Sequence, residues 1–198
     1  EPYDGRTPPP FACGISLAPW PNRVRDGRWT LDGEQQQLDL TEVDRGNALH
    51  GLLRYTDYVV REQSASAVTL GAYLPPQHGW PFPLDVTVRF EVRPDGITVT
   101  HGVTNLGERR APYATGAHPF LRLGATPVED LLLTVPAATY FDVDERLNPI
   151  AERPVDGTPY DARTGLRVGD LEVDTAFGGV THLEGASAWL TAPDGARL

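Results

Sequence analysis

Leu84-Asp85-Val86-Thr87-Val88-Arg89-Phe90-Glu91-Val92-Arg93-Pro94-Asp95-Gly96-Ile97-Thr98-Val99-Thr100-His101-Gly102-Val103-Thr104-Asn105 reads as a β-hairpin from end to end. Its first half alternates apolar and polar residues with a period of two, the repeat of a strand that buries one face. Pro94-Asp95-Gly96 reverses the chain, proline fixing φ and glycine accepting φ > 0. The return strand sets Ile97, Val99, His101 and Val103 on one parity and three threonines on the other, so pairing across the turn aligns two apolar rows.

Weaker signals of the same kind mark residues 28–31, 37–40, 55–62, 67–73, 130–135 and 187–191, and no segment has a capped helical period. The 19 prolines and 20 glycines punctuate short segments throughout, with no repeat, low-complexity block or linker. The sequence therefore predicts an all-β, antiparallel fold of two packed sheets, one domain over residues 1–198.

Composition narrows the function. A formal charge of −10 argues against a nucleic-acid partner, whose phosphates need a basic face. No apolar run approaches the roughly 20 residues of a membrane span and no signal peptide opens the chain, so the expected location is the cytoplasm, with no membrane partner. Cys13 stands alone, which excludes an internal disulfide and predicts a small buried hydrophobe. All 17 basic residues are arginine, and without lysine there is no Schiff-base chemistry. Methionine is absent, at position 1 as elsewhere, which predicts that these residues belong to a longer chain.

Histidine carries the remaining chemistry. His118 lies between Gly116 and Pro119, where regular pairing should end, with Phe120 as a candidate aromatic wall. His50 sits between Leu49 and Gly51, and glycine permits close approach of backbone or ligand. Each reads equally well as a satisfied structural histidine or as a proton-transfer group. His101 shares the apolar parity of its strand and reads as a hydrogen-bonded core residue. His78 precedes Gly79-Trp80-Pro81-Phe82, whose aromatics suit either a sugar face or a plug for the sandwich. His182 has no supporting context. Metal-ligand spacings, a nucleophile elbow, a phosphate loop and a dinucleotide fingerprint are all missing from the sequence, so no metal site is expected. Arg23, after the stiff Pro19-Trp20-Pro21 turn, suits hydroxyl or carboxylate oxygens, or else pairs with one of many acids. Asp174 could accept two sugar hydroxyls or end a strand as an Asx turn.

Taken in order, Pro21-Asn22-Arg23-Val24 with Gly27-Arg28-Trp29 and Asp32-Gly33, then Asn47-Ala48-Leu49-His50-Gly51, Trp80-Pro81-Phe82, Asn105 with Gly116-Ala117-His118-Pro119-Phe120, and Asp174 with Phe177 resemble the aldose 1-epimerase (galactose mutarotase-like) family. The resemblance covers almost the whole chain. It implies a β-supersandwich, incomplete here at both ends, that binds a hexose in an open cleft and interconverts its anomers without a cofactor. It makes His118 the general acid at the ring oxygen, and His50, Arg23 and Asp174 substrate contacts. The family's base is a glutamate on a strand well beyond Asp174; Glu184 lacks the motif around it, and the expected base lies outside these residues. Phe120 stands where relatives more often have tyrosine, and Leu52 where they have a second glycine. The partner implied is a small-molecule sugar. The rivals are a hexose 6-phosphate substrate, recognised by Arg23, Arg25 and Arg54, and a carbohydrate-binding or sensing domain without turnover.

Overall fold

The computed structural model describes residues 6–182 and 187–198; Glu184 lies outside them. Two units are divided between Phe120 and Leu121. Among the described residues the regular structure is β-strand with a few three-residue 3-10 turns, and no helix is long and apolar enough to cross a membrane.

The first unit holds β1 (Ser16–Leu17), β2 (Arg23–Arg25), β3 (Arg28–Leu31), β4 (Glu34–Gln37), β5 (Asn47–Leu49), β6 (Val59–Gln63), β7 (Ala67–Leu74), β8 (Leu84–Arg93), β9 (Gly96–Asn105) and β10 (Gly116–Ala117). β8 and β9 form the hairpin expected from the alternation, paired from Leu84 with Asn105 to Arg93 with Gly96. With β7 and β6 they make an antiparallel sheet in the order β6-β7-β8-β9. Leu84, Val86 and Val88 are buried as their parity requires, against a cluster that includes Ala18, Leu38, Ala48, Leu53, Trp80 and Phe82. The same row opens to solvent toward the turn, where Val92 is 61% and Ile97 68% exposed. The alternation identified the face; how far the covering residues reach along it depends on the tertiary packing.

Three expectations resolve differently in the structure. The strand expected at 37–40 lies at Glu34–Gln37, because Asp32 and Gly33 both adopt positive φ (51° and 86°) and close a two-residue hairpin loop. That turn fixes Leu31 opposite Glu34 and frees Leu38 to enter the core, where it is 2% exposed. Cys13 is exposed rather than buried, since it follows a 3-10 turn on the surface. His101, expected in the core, is only half-buried and its Nδ1 makes no hydrogen bond among the described residues. On β9, the last strand of the sheet, it pairs with Val88 of β8.

The aromatic turn acts as a plug. Trp80 and Phe82 are buried with ring centroids 5.4 Å apart, Trp20 and Trp29 pack on Trp80 at 5.7 and 5.6 Å, and His78 is left outside. Trp29 Nε1 donates to the Gly79 carbonyl at 2.9 Å, and Trp20 Nε1 donates to the Ala48 carbonyl at 3.4 Å. This cluster backs the short ladder of β2 and β5, in which Arg23 pairs with Leu49 and Arg25 with Asn47.

The second unit holds β11 (Leu132–Thr134), β12 (Thr139–Val143), β13 (Pro149–Pro154), β14 (Leu166–Arg167), β15 (Phe177–Gly178) and β16 (Trp189–Thr191). They form two antiparallel three-stranded sheets, β14-β11-β16 and β13-β12-β15. Leu131, Val155 and Tyr140 are buried, and the Tyr140 and Tyr160 rings stack at 4.5 Å.

Truncating the plug should be costly and trimming the open row should not. Phe82→Ala is expected to lower unfolding free energy by about 3–5 kcal/mol, whereas Val92→Ser should stay within about 0.5 kcal/mol. Urea denaturation of both variants checks the contrast; equal losses would contradict the burial assigned to the two ends of the row.

Candidate functional site

One short run of chain brings the two histidines together. Ser16 pairs with Ala117 in the β1–β10 ladder, and Ala18 bridges Gly51. The amide of Leu52 donates to the Ala18 carbonyl at 2.8 Å, and the amide of Gly14 donates to the His118 carbonyl at 2.9 Å. His118, just after Ala117, and His50, just before Gly51, are thus carried by opposite sides of residues 16–18. Their rings meet edge to face with centroids 5.5 Å apart. Phe120 lies 5.6 Å from the His118 ring, so the expected aromatic wall is present, though 55% exposed.

Backbone conformation sets the direction of His50. Both Asn22 (φ 58°) and His50 (φ 60°) adopt the left-handed region, which costs non-glycine residues of order 1–3 kcal/mol and is best tolerated by types such as Asn and His. The two residues clasp each other: the His50 amide donates to the Asn22 carbonyl at 2.8 Å, and the Asn22 amide donates to His50 Nδ1 at 3.1 Å. Gly51 must follow in the same region (φ 76°), because a Cβ there would meet the Ala18 carbonyl oxygen at 2.1 Å.

An amide N–H can only donate, so Nδ1 is the unprotonated nitrogen and the ring proton resides on Nε2. Burial lowers the His50 pKa from 6.5 to about 4, with the neighbouring charges of His118, Arg23 and Arg54 acting in the same direction. At neutral pH His50 is a neutral imidazole offering one N–H.

Arg23 occupies the adjoining position on β2. Its Nε and Nη2 donate to the two carboxylate oxygens of Glu42 at 2.9 Å each, and Nη1 donates to Asn22 Oδ1 at 3.1 Å. The acid-paired reading of this arginine is therefore realised, and the guanidinium edge is held beside the clasp. Glu42 also accepts from Asn47 Nδ2 at 2.9 Å and from Arg45 at 3.3 Å. Its pKa falls from 4.5 to about 2, chiefly through the Arg23 hydrogen bonds and against a desolvation penalty. Glu42 has no sequence signal: Thr41-Glu42-Val43-Asp44-Arg45 reads as a solvated charged turn. Arg54, another candidate, lies over the Tyr55 ring at 4.8 Å with Nη2 3.3 Å from the Thr41 carbonyl.

Arg23, His50 and His118 thus share one site in the first unit. Asp174 belongs to the second unit, exposed in the irregular segment 171–176 that leads into β15. Among the described residues no group of three His, Cys, Asp or Glu side chains is arranged to hold a metal ion. Chemically, the two imidazoles and the guanidinium offer N–H donors to oxygen acceptors.

Comparison with known proteins finds relatives that match most of this chain. The family model described as aldose 1-epimerase matches residues 3–195. The uncharacterized protein YihR of Escherichia coli (strain K12) is 34% identical over 165 residues, covering 83% of this chain and 54% of YihR. The galactose mutarotase of Homo sapiens is 29% identical over 168 residues, covering 81% of this chain and 48% of that protein. The chain therefore spans about half the length of the curated relatives it matches. Among solved structures, a galactose 1-epimerase from Lactobacillus acidophilus superposes with a TM-score of 0.79 at 22% identity, covering 97% of this chain and 62% of its own. A GalM/aldose epimerase homologue from Caenorhabditis elegans gives 0.78 at 19%, covering 93% and 60%.

The lowered pKa of His50 has a consequence for stability. Between pH 6.5 and about 4 the unfolded chain binds a proton at this position and the folded chain does not, so stability rises with pH across that window. The contribution is complete above pH 6.5 and is lost as pH falls toward 4. Urea midpoints at pH of about 4.5, 5.5 and 7 should climb in the unmodified protein, and more shallowly in His50→Asn, which keeps a residue tolerant of left-handed φ. Equal slopes would show that His50 is not the group responsible.

Proposed function

The chain belongs to the aldose 1-epimerase family, and from that premise we propose that the protein interconverts the α and β anomers of a free hexose by opening and reclosing the sugar ring. The observation that carries this reading is the edge-to-face meeting of two imidazoles whose ring centroids lie 5.5 Å apart. A positioned imidazole can serve as a hydrogen-bond donor or as a proton-transfer group. His50 is held neutral by its buried setting and by the Asn22 amide on Nδ1, so its Nε2–H serves as a hydrogen-bond donor to the sugar. The role of proton donor falls to His118.

Ring opening moves two protons. His118 delivers one to the ring oxygen as the bond from that oxygen to the anomeric carbon breaks, and a base removes the other from the anomeric hydroxyl, leaving an aldehyde. Rotation about the bond to the next carbon presents the other face of the carbonyl. Reclosure runs the transfers backward: the ring hydroxyl returns its proton to His118 as it attacks, and the base reprotonates the new anomeric oxygen. No net redox change or leaving group is involved.

Arg23 directs its remaining N–H groups at sugar hydroxyls, and for Asp174 the family resemblance alone assigns a substrate contact. Glu42 is a poor base, with its pKa at about 2 and both oxygens engaged by Arg23. The family resemblance assigns the base to a glutamate further along the chain than Asp174.

Polarimetry on freshly dissolved α-D-glucose and α-D-galactose tests the reading with the full-length protein. Catalysed mutarotation is expected, and His118→Ala should lower it by ~10²–10⁴, the usual contribution of one positioned proton-transfer group. Rates equal to the spontaneous ones across a panel of free aldoses would overturn the enzymatic reading, and saturable sugar binding without acceleration would point to a carbohydrate-binding domain.

A further inference from the structure

We infer that Glu42 is a positioning and specificity-determining residue: by clamping Arg23 in a two-pronged ion pair it fixes the guanidinium plane and offsets its charge, tuning this side of the site toward uncharged hydroxyls over anionic sugars. The inference rests on the sugar-isomerase reading above and adds a residue and a discrimination to it.

The geometry is that of a built support. Arg23 Nε and Nη2 meet separate oxygens of one carboxylate at 2.9 Å, the parallel arrangement that restrains both rotation and translation of a guanidinium. Both side chains are shielded, at 13% and 11% exposure, so solvent screens the pair less than it would a surface bridge. The carboxylate is itself anchored: Asn47, fully buried, donates from Nδ2 at 2.9 Å, while the amides of Thr41 and Glu42 donate to the Asn47 carbonyl at 3.0 Å. Gly46 in the left-handed region closes the loop from Glu42 to Asn47. This seven-residue segment, 41–47, holds one carboxylate against one arginine.

What is left for a ligand is the outer part of a paired guanidinium. Two of its five N–H groups are spent on Glu42 and one on Asn22 Oδ1. The remaining hydrogens donate to hydroxyl oxygens as a dipole, while the net charge of Arg23 with Glu42 is zero. Beside it, His50 contributes a neutral N–H. Arg54 and Arg45 keep their charges nearby, but Arg45 also contacts Glu42 at 3.3 Å. Removing the negative charge of Glu42 unmasks Arg23, which rewards an anionic sugar; releasing the guanidinium plane loosens the hold on a neutral one.

The test compares mutarotation of D-galactose with that of D-galacturonate, which differ in a carboxylate at the sixth carbon, in the full-length protein and in Glu42→Gln and Glu42→Asp. Glu42→Gln is expected to raise KM for galactose about tenfold while kcat changes less than about threefold, and to shift the KM ratio about tenfold in favour of galacturonate. Glu42→Asp, charged but too short for the two-pronged grip, should raise KM for galactose while keeping the ratio near that of the parent. A loss scaled equally for both sugars in Glu42→Gln, or no change in either, would overturn the inference while leaving the isomerase reading intact. Should Glu42→Gln not fold, a ratio in Glu42→Asp that moves toward galacturonate would overturn it as well. Failure of the parent protein to accelerate any aldose would sink the isomerase reading, and this inference with it.

Discussion

The hydrogen bond from the Asn22 amide to His50 Nδ1 is the contact on which the rest of the site depends. It exists because both residues accept left-handed backbone, an arrangement that persists only where surrounding structure over-determines it. That structure is visible on each side: the β2–β5 ladder fixes Asn22 against His50, and Ala18 presses so close to residue 51 that only glycine fits. The strain has a chemical return. It settles which imidazole nitrogen carries the proton and aims it away from the backbone, beside the ring of His118.

From that contact the site's electrostatics follow in order. Burial and surrounding positive charge keep His50 neutral far below its ordinary titration range, so this imidazole is a fixed N–H donor beside the His118 ring. Arg23 adds positive charge at the same place, and Glu42, paired with it, offsets part of that charge. An exposed ion pair of this kind would contribute little, but shielding and a buried asparagine behind the carboxylate make this one a rigid fixture. Preorganised donors matter more to a reaction than strong ones that must first be ordered.

The fold was legible where a local rule decides it. Alternation from Leu84 and a Pro-Asp-Gly turn defined the longest hairpin to its end residues, and the Asp32-Gly33 dipeptide carried the information that places β4 earlier than the apolar Leu38 and Leu40 suggest. His50 and His118 could be singled out because glycine neighbours mark them, but nothing in the chain says that residues 16–18 serve both. Arg23 read as either a hydroxyl ligand or an acid's partner, and its acid, Glu42, is nineteen positions away in a charged turn with no pattern of its own. Long-range pairs of this kind have no period to detect. Burial of the hairpin's apolar row likewise depends on neighbours from elsewhere in the chain, which is why the alternation overstates it toward Val92 and Ile97.

The central claim, that the clasp fixes His50 as a neutral imidazole with its proton on Nε2, is open to direct observation. A long-range ¹H–¹⁵N correlation spectrum of the full-length protein at pH about 7, with His50→Asn to assign the ring, reports the protonation of each nitrogen separately. An unprotonated Nδ1 and a protonated Nε2 for His50 are predicted. A proton on Nδ1, whether in the other neutral tautomer or in an imidazolium, would contradict the hydrogen bond from Asn22 and with it the roles assigned to both histidines.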